Sequence, residues 1–122
     1  MVKEFAFVCH PVNDMARARK FYEEVFGFKV LTEFGGESDE GQWVEYEVGE
    51  SAFALGRHKD WKPSREGVCA ALEVEDFDGV LSKLKEKGAE FKVEKQEFPG
   101  CFMAVVYDTE GNALTIHKRK SL

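Results

Sequence analysis

The sequence predicts an α+β fold: two βαβββ modules forming a curved eight-stranded mixed sheet with both helices on one side. Three observations predict it. A capped amphipathic helix pattern occupies Asn13 to Gly27. The pattern returns later in the chain, Glu75-Asp76 standing 62 residues after Asn13-Asp14 and Gly88 standing 61 after Gly27. Short β-patterned runs precede and follow each helix. Self-similarity at a fixed spacing indicates duplicated units that cannot each bury their apolar face alone. Helices on one face of a sheet leave the other, concave face for a ligand.

Taken in order, Lys3 to Val12 is rich in Phe and Val and reads as a short, mostly buried strand ending at Pro11. Asn13 or Asp14 can cap the first helix, because a short side-chain oxygen satisfies a backbone N–H with no intrahelical partner. Met15, Ala18, Tyr22 and Val25 recur at helical spacing, and Phe21 and Phe26 widen the stripe. Gly27 suits the left-handed residue that closes a last turn. Phe28 to Phe34 reads as a second strand, and the polar, Gly-rich stretch Gly35 to Gly41 as a flexible loop. Trp43 to Val48 alternates, with Val44, Tyr46 and Val48 on one face and Trp43, Glu45 and Glu47 on the other. Ser51 to Gly56 follows, with Phe53 and Leu55 to one side.

Arg57 to Gly67 is polar, carries a Pro and is the one linker-like stretch, separating a first module at about 1–57 from a second at about 67–120. The order then restarts. Val68 to Glu75 is a strand; Asp76 caps a helix with the stripe Phe77, Val80, Leu81 and Leu84, ended by Gly88. Ala89 to Glu94 is a strand, Gln96 to Gly100 a loop, and Phe102 to Tyr107 a strand. Asp108 to Asn112 is a turn, and Ala113 to Lys118 is the last strand.

At 122 residues the chain is one domain by size, and 43% hydrophobic residues with eleven Phe suffice for a core. A chain of this length buries about two-thirds of its unfolded surface. No run approaches the roughly 20 apolar residues of a membrane span, and residues 1–9 read as a strand rather than a signal peptide. Cys9, Cys69 and Cys101 show no CxxC spacing, so neither a zinc knuckle nor a redox motif is indicated, and a reducing cytoplasm is the expected compartment. A formal charge of −6 argues against nucleic-acid binding, which draws on Lys and Arg at phosphates. The basic tail His117-Lys118-Arg119-Lys120 is the local exception and reads as a solvated terminus.

Two stretches carry a resemblance. Val12 to Tyr22, continuing to Phe26-Gly27-Phe28, is similar to the motif V-x-D-x-x-x-(S/A)-x-x-F-Y-x-x-x-L-G-F. Tyr107 to Asn112 is similar to a D-P-x-G-N turn, with Thr109 in place of Pro. In this order and in a duplicated frame they resemble the vicinal-oxygen-chelate superfamily of glyoxalases, bleomycin-resistance proteins and extradiol dioxygenases, in a single-domain form. The resemblance covers nearly the whole chain and implies the fold more than the reaction.

It also implies where a metal would bind: a His seven residues before the Asp that starts each helix, and a carboxylate on each module's last strand. Those places fall on Phe7, Cys69, Phe53 or Ala54, and Thr115. None carries the usual ligand, so no divalent metal or other cofactor is expected. His10 sits on the face opposite Phe7 and reads as structural, and His58 as an exposed linker residue. His117 shares a face with Ala113 and Thr115 and is the best candidate for a catalytic acid or base, since an imidazole titrates near neutrality.

The expected function is metal-free binding of a small organic molecule, as in bleomycin-resistance proteins. Phe7, Cys9 and Trp43 would line the cleft from the first module; Cys69, Met103, Val105, Tyr107 and Thr115 would line it from the second. Glu45, Glu73 and His117 would supply polar contacts, the carboxylates favouring a cationic or amphipathic ligand beside Trp43. The resemblance implies a homodimer; no nucleic acid or membrane partner is expected. One alternative is a glyoxalase-like lyase or isomerase, or a dioxygenase-type metalloenzyme, with an atypical metal site from Glu45, Glu47, Glu73 and His117, or a metal-free enzyme of the same kind. Another is a dimerising structural module without a ligand.

Overall fold

Each helix starts and stops where a side-chain acceptor and a glycine dictate. The computed structural model describes residues 1, 3–36 and 41–121. Of the expected loop at Gly35 to Gly41, Glu37, Ser38, Asp39 and Glu40 lie outside the described residues. The elements run β1 (Val8–Pro11), α1 (Met15–Phe26), β2 (Lys29–Phe34), β3 (Gln42–Val48), β4 (Ser51–Arg57), β5 (Ala70–Glu73), α2 (Phe77–Glu86), β6 (Phe91–Phe98), β7 (Cys101–Tyr107) and β8 (Ala113–Arg119). The expected α+β class and the twice-used βαβββ order are both present. The strands form two four-stranded mixed sheets, ordered β1-β4-β3-β2 and β5-β8-β7-β6, where the sequence reading joined them in one. The chain divides into two compact units, Met1–Pro63 and Ser64–Leu122.

In the first unit Asp14 caps α1, accepting from the Arg17 N–H at 3.0 Å, and Gly27 closes it at φ +67°. α1 buries Met15, Ala18, Phe21, Tyr22 and Val25, the predicted stripe. Tyr22 is fully buried; its ring stacks on Phe28 at 5.9 Å and lies 5.0 Å from Phe53. Its hydroxyl lies 3.3 Å from Nδ1 of His10, which is buried and edge-on to Phe53, as a structural histidine would be. Tyr46 on β3 is fully buried too and donates to Glu23 Oε2 at 2.8 Å. Arg19 holds that carboxylate at 2.8 Å and reaches Glu33 of β2 at 2.9 Å. Burial and the Glu23 carboxylate push the Tyr46 phenol well above its ordinary range.

In the second unit Asp76 caps α2 by accepting from the Gly79 N–H at 3.0 Å. Its end is a Schellman arrangement, with Ala89 N–H on the Leu84 carbonyl and Gly88 N–H on the Lys85 carbonyl. Phe77, Leu81 and Leu84 are buried on α2, as are Ala104, Val106, Leu114 and Ile116 on the sheet. Each sheet has the same pairing: the first strand runs parallel to the last, and the other two pairs are antiparallel.

Three strand expectations are corrected. The first strand is Val8–Pro11 rather than Lys3 to Val12, because the ladder begins where Val8 meets Phe53; Phe5 is almost wholly exposed. Likewise β5 spans Ala70–Glu73, and Val68 is exposed. The loop expected at Gln96 to Gly100 belongs mostly to β6, which pairs with β7 as far as Phe98 opposite Cys101. Its polar composition is that of an exposed edge strand with two register shifts, which reads as a loop by composition alone.

The turn at Asp108 to Asn112 is held by one buried carboxylate. Asp108 Oδ1 accepts from the Glu110 and Asn112 N–H groups at 2.9 Å each, and Oδ2 accepts from Asn112 Nδ2 at 3.3 Å. Removing it strands buried donors, so Asp108→Ala is expected to lower unfolding stability by about 2–4 kcal/mol in urea titrations. Asp78→Ala, which breaks only an exposed pair with Lys95, should cost less than about 1 kcal/mol. Equal losses in the two variants would refute this ranking.

Candidate functional site

Alternation along β4 decides what lies on each face of the first sheet. Phe53 and Leu55 are buried on the helix side, so Ala52, Ala54 and Gly56 occupy the opposite face. On β3, Trp43, Glu45 and Glu47 share that face, opposite Gly56, Ala54 and Ala52 respectively. Phe34 of β2 pairs with Trp43. Large β3 side chains therefore stand beside a row of small β4 residues.

Trp61 completes the arrangement from beyond the strand. The Trp61 N–H donates to the His58 carbonyl at 3.0 Å and the Asp60 N–H to His58 Nδ1 at 3.1 Å, a tight turn that folds the chain back. A Cβ on Gly56 would overlap the Trp61 ring and come within 3.3 Å of Trp43 Cε3. Both indoles thus converge over a residue with no side chain. Phe34, Trp43 and Trp61 wall a cavity of about 370 Å³ floored by Gly56. Gly35, Gly41 and Gln42 border it, as do Arg57 and His58. A smaller cavity of about 70 Å³ shares Arg57 and His58 and adds Val12, Asn13, Lys59 and Lys62. Arg57 is anchored by its Nε, which donates to the Asn13 carbonyl at 3.2 Å.

The residues expected from the first module gather on this face. Phe7 meets Trp43 edge-on at 5.1 Å, and Trp43 Nε1 donates to Glu45 Oε2 at 3.1 Å. Cys9 lies opposite Ala54, and burial with the Glu45 carboxylate pushes its thiol up to about 12, which leaves it protonated and unreactive at neutral pH. Neither Glu45 nor Glu47 walls the cavity. Trp61, Phe34, Gly56, Arg57 and His58 are cavity residues that the sequence reading left out. The available signal was a lone Trp in an otherwise polar stretch.

The second sheet places its residues by the same rule. Ala71 lies opposite Thr115 and Glu73 opposite His117 on the β5–β8 side. Met103, Val105 and Tyr107 lie opposite His117, Thr115 and Ala113 on the β7–β8 side. The Cys69 thiol and the Thr115 hydroxyl meet at 3.3 Å, and the Arg65 guanidinium covers the Tyr107 ring at 4.1 Å. Glu73 Oε1 holds His117 Nδ1 at 2.6 Å, while Oε2 accepts from the Arg119 N–H at 2.7 Å. Those two hydrogen bonds, the backbone one first, hold the Glu73 carboxyl below its usual range. A carboxylate on Nδ1 selects the tautomer in which Nε2 is the proton acceptor.

The two registers also align the modules with each other. Trp43 and Pro11 flank Gly56 as Met103 and Glu73 flank His117. Gly56 therefore stands where the second module has an imidazole, and the space over it is the space that His117 fills. The same alignment makes Ala54, not Phe53, the counterpart of Thr115. The four places that the resemblance assigns to metal ligands are thus Phe7, Ala54, Cys69 and Thr115. A phenyl ring and a methyl group offer no lone pair, so this set does not fit a metal. Among the described residues no three His, Cys, Asp or Glu side chains gather as a candidate ion site.

The family model of the Glyoxalase/Bleomycin resistance protein/Dioxygenase superfamily matches residues 5–116. The chain belongs to this superfamily. Comparison with curated proteins finds no match. Among solved structures, a glyoxylase/bleomycin resistance protein/dioxygenase domain from a Frankia species aligns at TM-score 0.77 and 20% identity, over 98% of this chain and 100% of its own. An antibiotic binding protein, TnmS3, from a Streptomyces species aligns at 0.73 and 22%, over 98% of each chain. A fosfomycin resistance protein of Listeria monocytogenes, complexed with Mn(II) and dihydroxypropylphosphonic acid, aligns at 0.79 and 15%, over 96% of this chain and 93% of its own. At these identities the likeness is one of fold. A superfamily fold hosts many sites, and the side chains on it decide what it does.

The depressed Glu73 carboxyl has a readable consequence. Its stabilising contribution is present above the unfolded value of 4.5 and is lost as pH falls through the lower folded value. Stability measured by urea unfolding at successively lower pH should therefore fall less steeply below about pH 4.5 in Glu73→Gln than in the parent. Identical slopes would show that the hydrogen bonds from the Arg119 N–H and His117 to Glu73 do not persist in solution.

Proposed function

We propose that this protein binds a small organic molecule in the aromatic cavity of its first module, without the metal ligands used by relatives. The observation that carries the reading is the convergence of Trp43 and Trp61 over Gly56. A volume of about 370 Å³ lies within the usual range for small-molecule pockets. Three aromatic rings and few polar groups are what such pockets use, apolar area for affinity and polar atoms for orientation. The fold-level likeness to an antibiotic binding protein supports the same class of function. In this reading the protein works in the cytoplasm as a homodimer, and sedimentation tests the oligomeric state.

A second reading is favoured by the Glu73–His117 pair. A carboxylate orienting an imidazole is the arrangement of a general base, so a metal-free lyase or isomerase would use His117 for proton transfer. His117→Ala would then abolish turnover while leaving ligand affinity at the cavity intact.

The chain's two tryptophans both wall the cavity, so selectively excited tryptophan fluorescence reports on the site. Screening indole, naphthalene and quinoline derivatives by quenching should find ligands. For any ligand found, Trp43→Ala and Trp61→Ala should each weaken binding by about 1–3 kcal/mol, the scale of losing one large apolar contact. Gly56→Ala, whose added methyl collides with Trp61, should weaken it as well. Unchanged affinity in all three variants would reject this cavity as the site.

A further inference from the structure

The charge around the cavity has a sign that the chain as a whole does not. The formal charge is −6, yet among the described residues the charged side chains bordering the two adjoining cavities are cationic. Arg57 borders both, Lys59 and Lys62 border the smaller, and His58 adds a ring nitrogen to each. No described carboxylate lines either one. On the same face as Trp43, Glu45 is engaged by the indole N–H.

The two linings differ in kind. Phe34, Trp43 and Trp61 make the larger one apolar, and Arg57 and His58, which border both, are joined at the smaller by Lys59 and Lys62. A ligand matched to both has a flat apolar body and one anionic head. Indole faces take a planar ring through stacking and area burial. A guanidinium recognises a carboxylate or phosphate through paired N–H donors, and two lysines add point charge.

We infer that the ligand class of this cavity is a planar aromatic anion, its ring against Phe34, Trp43 and Trp61 and its acidic group toward Arg57, His58, Lys59 and Lys62. This rests on the binding reading above and reverses the sign that Glu45 and Glu73 suggest from the sequence.

The test is calorimetric titration of the full chain with three compounds sharing one ring: naphthoate, naphthamide and naphthylmethylammonium. Naphthoate should bind at least roughly fivefold tighter than naphthamide, and the ammonium compound weakest, as expected for partly exposed charge pairs. The preference should shrink toward about 1 M salt, where the screening length falls to about 3 Å. The double variant Lys59→Gln, Lys62→Gln should lose the preference for naphthoate and leave naphthamide unchanged; Gly56→Ala should weaken all three alike. Equal binding of naphthoate and naphthamide refutes the anionic head and leaves the cavity reading standing. Preference for the ammonium compound refutes it in favour of the carboxylates of residues 37–40, which lie between Gly35 and Gly41 in sequence. Failure of all three compounds to bind overturns both readings.

Discussion

Tyr22 packed against Phe53 is the contact from which the first unit's site follows. A fully buried phenol that stacks on Phe28, touches Phe53 and ends 3.3 Å from His10 leaves one orientation for β4. With a period of two, a strand that turns Phe53 and Leu55 toward a helix turns Ala52, Ala54 and Gly56 away from it. A one-residue slip would bury the small residues under the helix and place Phe53 and Leu55 among the tryptophans. Core packing on one face thus makes the room on the other. The site needs no separate device beyond a Trp on the neighbouring strand and a turn that returns a second one.

Duplication sets the first module's cavity against a counterpart position in the second. Both sheets share one pairing scheme, so every position has a counterpart. At the place where β8 carries His117, held by Glu73, β4 carries Gly56 beside Pro11. One module fills the space with a hydrogen-bonded imidazole; the other covers its glycine with the Trp61 ring, beside Trp43. A carboxylate in the first module's strand would have no imidazole to hold, and that strand has proline there. The two modules keep the same backbone and have divided the chemistry between them.

Charge is divided in a comparable way. Most carboxylates are committed to partners: Glu23 to Tyr46 and Arg19, Glu45 to Trp43, Glu73 to His117 and the Arg119 backbone, Asp108 to its own turn. Arg57 stands at the edge of the aromatic cavity, and Lys59 and Lys62 at the smaller one beside it. Among the described residues, the groups bordering these cavities thus differ in sign from the chain as a whole, and fields at short range follow the nearest groups rather than the net charge.

The sequence alone determined the elements whose signals are local. Asp14 and Asp76 cap helices because a carboxylate reaches N–H groups three residues on, and Gly27 and Gly88 end them because a positive φ suits glycine. The helix stripes, the duplicated order and the motif at Asp108 to Asn112 were legible for the same reason, and with them the superfamily. The faces of Trp43, Glu45, Glu73 and His117 were also legible, since alternation needs no partner strand. What only the tertiary structure decided depends on pairing register and on chain reversal. Register makes Ala54 rather than Phe53 the counterpart of Thr115 and sets Gly56 against Trp43. The turn at His58 to Trp61 brings a residue of an apparent linker over that glycine. No local pattern encodes which side chain will lie above a glycine several residues away, so the empty space that defines the site appears only once the strands are paired.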